Sequence, residues 1–412
     1  MSQRNRQLWY NWIFTALVII FVFQIPLQTL IAPLRYLDEL FVAGVIPVLF
    51  IQGTKKDFCG TVSFRLIMII AFLSLFVACG LYGNFSHNYQ SLATALSDVF
   101  LNLKFFLAIA VGYLLFADCN MEAIFCYVWK WVRGLAVSFF VFCLFDLVFH
   151  VFPGGTRYGL RVVYLFYPVH TSLVAACIFL CAILLRLFEY YKDRIFPYLC
   201  MLGFVTICTL RMKAVGAVIC LFFIYFIICR KRREFGFITW FALGVAVLMV
   251  AARQFAYYFF SMGTEAARAA LTQTSFLIAR DYFPFGTGFG TFASAFSAEP
   301  YSKVYYLYHI QNVWGISKNY NSFISDTFWP MILGQTGYLG TFFYVTALLL
   351  LFSAVYKMRR YNAYSFASAL ITILYLLISS TSESAFVNAM AVPFAFLMGV
   401  QMADVKRHLT KQ

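Results

Sequence analysis

Long apolar runs recur along almost the whole chain, separated mostly by short polar connections. A helix needs roughly 20 apolar residues to cross a bilayer, and many of these runs reach or approach that length. The twelve runs cover residues 8–30, 37–52, 63–83, 97–117, 122–152, 162–187, 196–210, 213–229, 236–253, 329–355, 364–381 and 384–403. This pattern predicts an all-α polytopic membrane protein with about 12 transmembrane helices.

The composition excludes a water-soluble fold of this length. Hydrophobic residues make up 63% of the 412 residues and charged residues only 11%, whereas soluble domains are about one quarter charged. Because no soluble core could bury this excess, the lipid bilayer must be the solvent. The first apolar run has no small-residue cleavage site after it, so we interpret it as a retained span and not a signal peptide.

Basic residues fall in short clusters on alternate connections. The clusters are Arg4/Arg6, Lys55/Lys56, Lys130/Arg133, Arg186/Lys192/Arg194, Arg230/Lys231/Arg232/Arg233, Lys357/Arg359/Arg360 and Lys406/Arg407/Lys411. By the positive-inside rule, these connections and both termini are cytoplasmic. The net charge of +15 therefore reflects topology, and its scattered distribution argues against a nucleic-acid partner.

One connection is far longer than the rest and divides the chain. We predict transmembrane helices 1–9 in residues 1–253, an outward-facing loop in residues 254–328, and helices 10–12 with a cytoplasmic C-terminus in residues 329–412. Loops of this length are usually functional or disordered. The aromatic content, a helical pattern at Glu265–Ala279 and a glycine-rich turn at Phe285–Thr291 favour an ordered, partly helical cap.

The outward side carries few charges, and most of its cations are arginines. They include Arg157, Arg161, Arg211, Lys213, Arg268 and Arg280. The planar guanidinium fork matches two phosphate oxygens at once, which favours a lipid with a phosphate or diphosphate headgroup. The structural alternative is that these side chains pair with Asp or Glu at the bilayer edge. Arg211 has no acid within the helical i±4 neighbourhood, which favours a functional role.

An acid stands where the long loop meets the next apolar run. Asp326 precedes a span whose first turns carry Gly334, Gly337 and Gly340, a spacing that lets helices or a ligand approach closely. The sequence contains no HExxH motif and no clustered His, Cys and carboxylate set. We therefore expect neither a metal site nor a cofactor.

These segments together resemble the Wzy-type O-antigen and capsular polysaccharide polymerases, in the superfamily that includes the O-antigen ligases. The ligase pattern is His, then Asn, Ser or Gln, nine residues, Gly, two residues and Gly. Asp326-Thr327, nine residues and Gly337-Tyr-Leu-Gly340 reproduce this spacing, with Asp in place of His. Further likenesses are Leu210–Ala214, the loop running from Arg268 to Pro284–Gly288, and Tyr36–Glu39. The exchange of His for Asp argues against a ligase proper.

The resemblance implies transfer of a glycan from undecaprenyl diphosphate to a sugar hydroxyl of another lipid-linked repeat unit. This would occur in the bacterial inner membrane, at a site facing the periplasm or exterior, with a chain-length regulator and a flippase as partners. Charge develops on the departing diphosphate, for which Arg211, Arg268 and Arg280 are candidate catalytic cations. Asp326 would act as the base or orient the acceptor. Candidate substrate-binding residues are Lys213, Arg161, His309, Gly286, Gly288 and Trp314.

Three other functions remain open at the level of sequence. A ligase would differ only in its acceptor. A secondary transporter or flippase would share the number of spans, but such folds carry internal repeats and paired broken helices, and we detect neither. A non-catalytic export or chain-length partner would not need arginines facing the outer leaflet.

Overall fold

The computed structural model describes residues 3–44, 47, 64–117, 119–231, 244 and 267–410, and helices account for nearly all of its regular structure. The helices are α1 (Gln3–Leu30), α2 (Leu37–Ala43), α3 (Phe64–His87), α4 (Leu92–Phe116), α5 (Met121–Phe149), α6 (His170–Tyr191), α7 (Phe196–Ile207), α8 (Met212–Ile224), α9 (Ala267–Asp281), α10 (Ala295–Ala298), α11 (Val304–Leu307), α12 (Phe328–Met358), α13 (Ala363–Ser380) and α14 (Ala391–Thr410). Short 3-10 helices span Ala32–Tyr36 and Lys192–Ile195, and a π-helix, Tyr225–Arg230, extends α8.

Within these ranges, eight helical stretches are long and apolar enough to cross a membrane, one of them containing both α6 and α7. The prediction of an all-α polytopic membrane protein is confirmed at this level. The predicted run 236–253 lies outside the described residues apart from position 244, and run 37–52 is described only through residue 44 and at 47.

Burial separates central helices from lipid-facing ones. The stretches containing α6 and α13 are 89% buried in their most apolar windows, whereas those of α3, α5 and α12 are 28% buried. Apolar side chains such as Ile70, Phe145 and Leu349 stay exposed on the outer helices. An apolar surface of this extent fits hydrocarbon and not water.

Contacts between helix ends show that successive helices alternate in direction. At one end, which we call the basic end, Gln7 near the start of α1 donates to the carbonyl of Asn120 before α5, and Arg186 of α6 pairs with Asp404 of α14 at 2.8 Å. At the opposite end, the site end, Val163 before α6 donates to the carbonyl of Cys208 after α7. The predicted alternation of the basic connections fits this arrangement.

Two predicted helix starts are wrong. Residues 162–169 are not helical: β1 (Gly155–Arg157) pairs antiparallel with β2 (Leu160–Val162), and α6 begins only at His170. The last helix starts at Ala391 and not at 384, because residues 381–390 form non-helical turns. Hydropathy measures apolarity alone, so it cannot distinguish a buried turn from the first turns of a helix.

The predicted break between residues 210 and 213 is confirmed. α7 ends at Ile207 and α8 begins at Met212, with Leu210 in the left-handed backbone region at φ 50°. Arg211 is the N-terminal flanking residue of α8, in an extended conformation. The break therefore places Arg211 and Lys213 at the site end, at the start of a helix.

Glycines allow α4 and α14 to cross closely. A Cβ added to Gly112 of α4 would lie 2.1 Å from the carbonyl oxygen of Phe396, and one added to Gly399 of α14 would lie 2.0 Å from that of Ile109. Only residues without a side chain allow the two backbones to approach this closely. The pair fixes how α14 docks on α4.

Candidate functional site

A buried ion pair joins two distant parts of the chain at the site end. Lys213 Nζ, in the first turn of α8, lies 2.7 Å from Glu383 Oε2, in the turn that follows α13. The Lys213 side chain is only 5% exposed and that of Glu383 18%. Since an unpaired charge at this depth would be costly, the pair holds the start of α8 against the end of α13.

A second ion pair lies beside the first. The guanidinium of Arg268, in the first turn of α9, donates to the carboxylate of Asp326, two residues before α12. Ser384 Oγ donates to the carbonyl of Ser325 at 2.6 Å, which ties the turn after α13 to the residue before Asp326. Glu383 and Lys213 both act electrostatically on Asp326, so the two pairs form one cluster.

Two more arginines face this cluster. Arg157 Nη1 donates to the carbonyl of Leu210 at 3.5 Å, and Arg157, Arg211 and Lys213 all act electrostatically on His170 at the start of α6. Arg211 and Arg268 likewise act on Lys213. We call the set the cationic cluster: Arg157, Arg211, Lys213, Arg268, Asp326 and Glu383. Its four cations outnumber its two carboxylates, which suits a multiply charged anion.

Asp326 lies in an environment that disfavours its charge. Burial raises the pKa of its carboxyl group, and the neighbouring Arg268 guanidinium opposes this effect without cancelling it. Asp326 therefore holds its proton to a higher pH than an exposed aspartate does. A carboxylate with a raised pKa is a better proton acceptor near neutral pH than a free one.

A small cavity adjoins the cluster at Glu383. Its volume is about 30 Å³, enough for one or two water molecules. It lies between the start of α6, the end of α13 and the turns leading to α14, and its lining residues are Thr171, Ser172, Ala175, Tyr375, Leu376, Ser379, Glu383, Ala385, Asn388, Met390 and Phe394. Hydroxyl and amide groups thus share the cavity with one carboxylate.

The glycine-rich turn seats α12. The backbone N–H groups of Thr287 and Gly288 donate to the carbonyls of Gly334 and Gln335 at 3.1 and 2.8 Å. A Cβ on Gly286 would lie 2.6 Å from the backbone nitrogen of Gly337, which itself has φ 63° and kinks the helix. Gly286 packs against this kink and Gly288 packs against Asn84 of α3. Both glycines therefore help to position the start of α12, two residues after Asp326, and their contact with substrate stays a prediction.

Two of the predicted cations lie apart from the cationic cluster. Arg161 Nη2 lies 2.9 Å from Asp146 Oδ1 at the end of α5 and donates to the carbonyl of Phe152 at 2.7 Å, so it fixes the loop before the β-hairpin. The Arg280 side chain is 71% exposed and pairs with the adjacent Asp281. A rise of about 1.5 Å per residue separates Arg280 from Arg268 by about 18 Å along α9. We leave Arg280 out of the candidate site.

The aromatic candidate lies near Asp326 in the chain and in space. Trp314 is 67% exposed, and its ring lies 5.1 Å from that of Phe323 and 5.2 Å from that of Tyr320. The backbone carbonyl of Phe323 accepts a hydrogen bond from the backbone N–H of Asp326. An exposed, supported indole so close to the cluster can stack on a sugar ring. His309 is also exposed, on the segment that leads to Trp314, with a left-handed φ of 56°.

Sequence reasoning missed Glu383. The residue stands in the polar stretch Ser379-Ser-Thr-Ser-Glu-Ser384, which interrupts two apolar runs. An acid in a short connection between two predicted spans is unusual, because charge at the membrane edge is costly. That interruption was the available signal, but it did not show that Lys213 is the partner.

A separate polar cluster is buried between α1, α2 and α4. Lys104 Nζ lies 2.6 Å from Asp38 Oδ2 and 3.1 Å from Glu39 Oε1, and Gln24 Nε2 donates to Asp38 at 3.1 Å. Lys104 and Asp38 are each 1% exposed. The segment Tyr36–Glu39, singled out in the sequence, thus anchors α2 to α4.

No arrangement of three or more His, Cys, Asp and Glu side chains able to hold a metal ion occurs in the part of the chain that the structure describes. No protein-family model matches the chain, and no curated protein and no solved structure matches it significantly.

Proposed function

We propose that the chain is a polysaccharide polymerase. It would transfer a glycan from undecaprenyl diphosphate to a sugar hydroxyl of another lipid-linked repeat unit, at the outer face of the bacterial inner membrane and without a metal ion. The observation that carries the proposal is the cationic cluster: four cations and two carboxylates converge at one end of a membrane bundle.

The charges of the cluster suit the leaving group. When the bond between the sugar and the diphosphate breaks, negative charge builds on the diphosphate, and cations already in place stabilise it without reorganising. Arg211 and Arg268 supply guanidinium groups, and Lys213, on which both act electrostatically, supplies a point charge. Fixed cations can take the place of the divalent metal that many phosphate sites use.

The surroundings suit a lipid-linked sugar. Lipid-facing helices surround the bundle, so the polyprenyl tail can remain in hydrocarbon while its headgroup reaches the cluster. The exposed indole of Trp314, which packs at a tilt against the Phe323 ring close to Asp326, offers a platform for a sugar ring. An anion transporter would need the cations but would have less use for such a platform.

The test is a reconstitution without other enzymes. Purified protein in nanodiscs is given a synthetic undecaprenyl-diphosphate oligosaccharide, with EDTA and without nucleotide sugars. A gel ladder of lipid-linked products that grows by whole repeat units is the expected result. Substrate that binds but stays one unit long would contradict polymerase activity, and transport or ligation to another acceptor would then be tested in its place.

A further inference from the structure

Glu383 combines two features that Asp326 does not share. Its carboxylate pairs with Lys213, and it also lines the water-sized cavity beside the cationic cluster. The cavity receives polar side chains from Thr171, Ser172, Ser379 and Asn388 as well. Asp326 pairs with Arg268 but is not among the residues that line this cavity.

We propose that Glu383, and not Asp326, is the general base that accepts the proton of the acceptor sugar, and that the acceptor hydroxyl enters this cavity. The inference rests on the proposed polymerase function and names the catalytic base of that same site. Asp326 would then be a positioning residue, whose carboxylate holds the Arg268 guanidinium toward the diphosphate.

The pairing with Lys213 leaves Glu383 able to act. A carboxylate has two oxygens and about four lone-pair sites, and the ion pair to Lys213 is made through Oε2, at 2.7 Å. The ion pair with Lys213 fixes the direction of the Glu383 carboxylate. The hydroxyl and amide groups around the cavity can orient an incoming sugar hydroxyl, whereas an apolar cavity would repel it.

The transfer step balances in atoms and charge. The acceptor hydroxyl gives its proton to Glu383 while its oxygen bonds to the anomeric carbon of the donor glycan. The bond between that carbon and the diphosphate oxygen breaks, and its electron pair leaves with undecaprenyl diphosphate. Arg211 and Arg268 neutralise the departing charge, and Glu383 then returns its proton to solvent.

Matched neutral variants test the assignment in the reconstituted polymerisation assay. Glu383→Gln and Asp326→Asn each remove one carboxylate at nearly constant volume. For Glu383→Gln we expect kcat to fall by about 10²- to 10⁴-fold, with KM for the lipid-linked substrate within about threefold. Asp326→Asn should instead raise KM and should lower kcat less than Glu383→Gln does.

The outcomes separate the two proposals. A wild-type ladder together with a Glu383→Gln kcat within threefold of wild type overturns the role of Glu383 and leaves the polymerase function standing. Absence of a wild-type ladder overturns the polymerase function and, with it, the assignment of Glu383 as the base.

If Glu383→Gln does not fold, Glu383→Asp keeps the charge opposite Lys213 but withdraws it by one methylene. Its kcat should fall about tenfold or more, because misplacement by about 1 Å is costly in catalysis, and an unchanged kcat would overturn the assignment.

Discussion

Lys213 and Glu383 meet 2.7 Å apart, and their ion pair joins the first turn of α8 to the turn after α13. The sequence around Lys213 does not identify Glu383 as its partner, and the sequence around Glu383 does not identify Lys213. The pair is nonetheless central to the cationic cluster, because Arg211 and Arg268 both act electrostatically on Lys213, and Glu383 acts on Asp326.

Removing Arg268 should abolish polymer formation without removing the protein from the membrane. Arg268→Ala takes a cation from the diphosphate site, and loss of one preorganised group of this kind lowers kcat by about 10²–10³. Arg211→Ala should behave in the same way. The measurement is the rate of ladder formation by purified variants at matched protein levels.

Arg280→Ala is the matched control for Arg268→Ala, since it deletes the same side chain from the same helix. Arg280 is 71% exposed and lies at the far end of α9. The activity of the Arg280→Ala variant should therefore stay within about twofold of wild type, because exposed substitutions usually have small effects. A loss as large as that of Arg268→Ala would show that α9 binds substrate along its whole length.

The Lys213–Glu383 pair should show strong coupling in stability. Lys213→Met and Glu383→Gln each leave a buried charge without its partner, which costs about 3–5 kcal/mol when a buried pair is broken on one side. The double variant removes both charges and should be more stable than the sum of the single losses predicts. Thermal unfolding in detergent compares the stability of the wild type, the two single variants and the double variant. Additive losses of stability would argue against a direct interaction.

Asp326 should make stability depend on pH in a defined direction. Because burial raises its pKa in the folded protein above the ordinary value near 3.8, folding favours the protonated form. The contribution is complete below the ordinary pKa and is lost as the pH rises through the raised value. The Tm of wild type minus that of Asp326→Asn should therefore fall as the pH rises above about 4. A difference that rises with pH would mean that Arg268 outweighs burial.

The crossing of α4 and α14 should tolerate no side chain at Gly399. A Cβ there would lie 2.0 Å from the carbonyl of Ile109, so Gly399→Ala must push the helices apart, at a cost of about 1–3 kcal/mol for overpacking. Gly134→Ala on α5 is the control, since a Cβ there meets nothing within 4 Å. Thermal unfolding should separate the two variants, and equal Tm values would contradict the close crossing.

The sequence alone determined that the chain lies in a lipid bilayer, and it determined where many of the helices lie. Apolar runs predicted helices at Phe64–His87, Phe328–Met358 and Ala363–Ser380, because a backbone in lipid must satisfy its hydrogen bonds within each segment. The helical pattern at Glu265–Ala279 likewise predicted α9 (Ala267–Asp281). Local rules sufficed where the controlling interactions lie within one turn of helix.

Only the tertiary structure decided which charges share a site. It brought Arg211, Lys213, Arg268 and Asp326 together, added Glu383 as the partner of Lys213, and separated Arg161 and Arg280 from them. A charged residue near a membrane edge is unfavourable unless it is paired, but the sequence does not identify its partner. The partners come from helices that are far apart in the chain. Which charged residues become partners depends on how the helices pack. Close contacts such as that of Gly112 with Phe396 determine this packing.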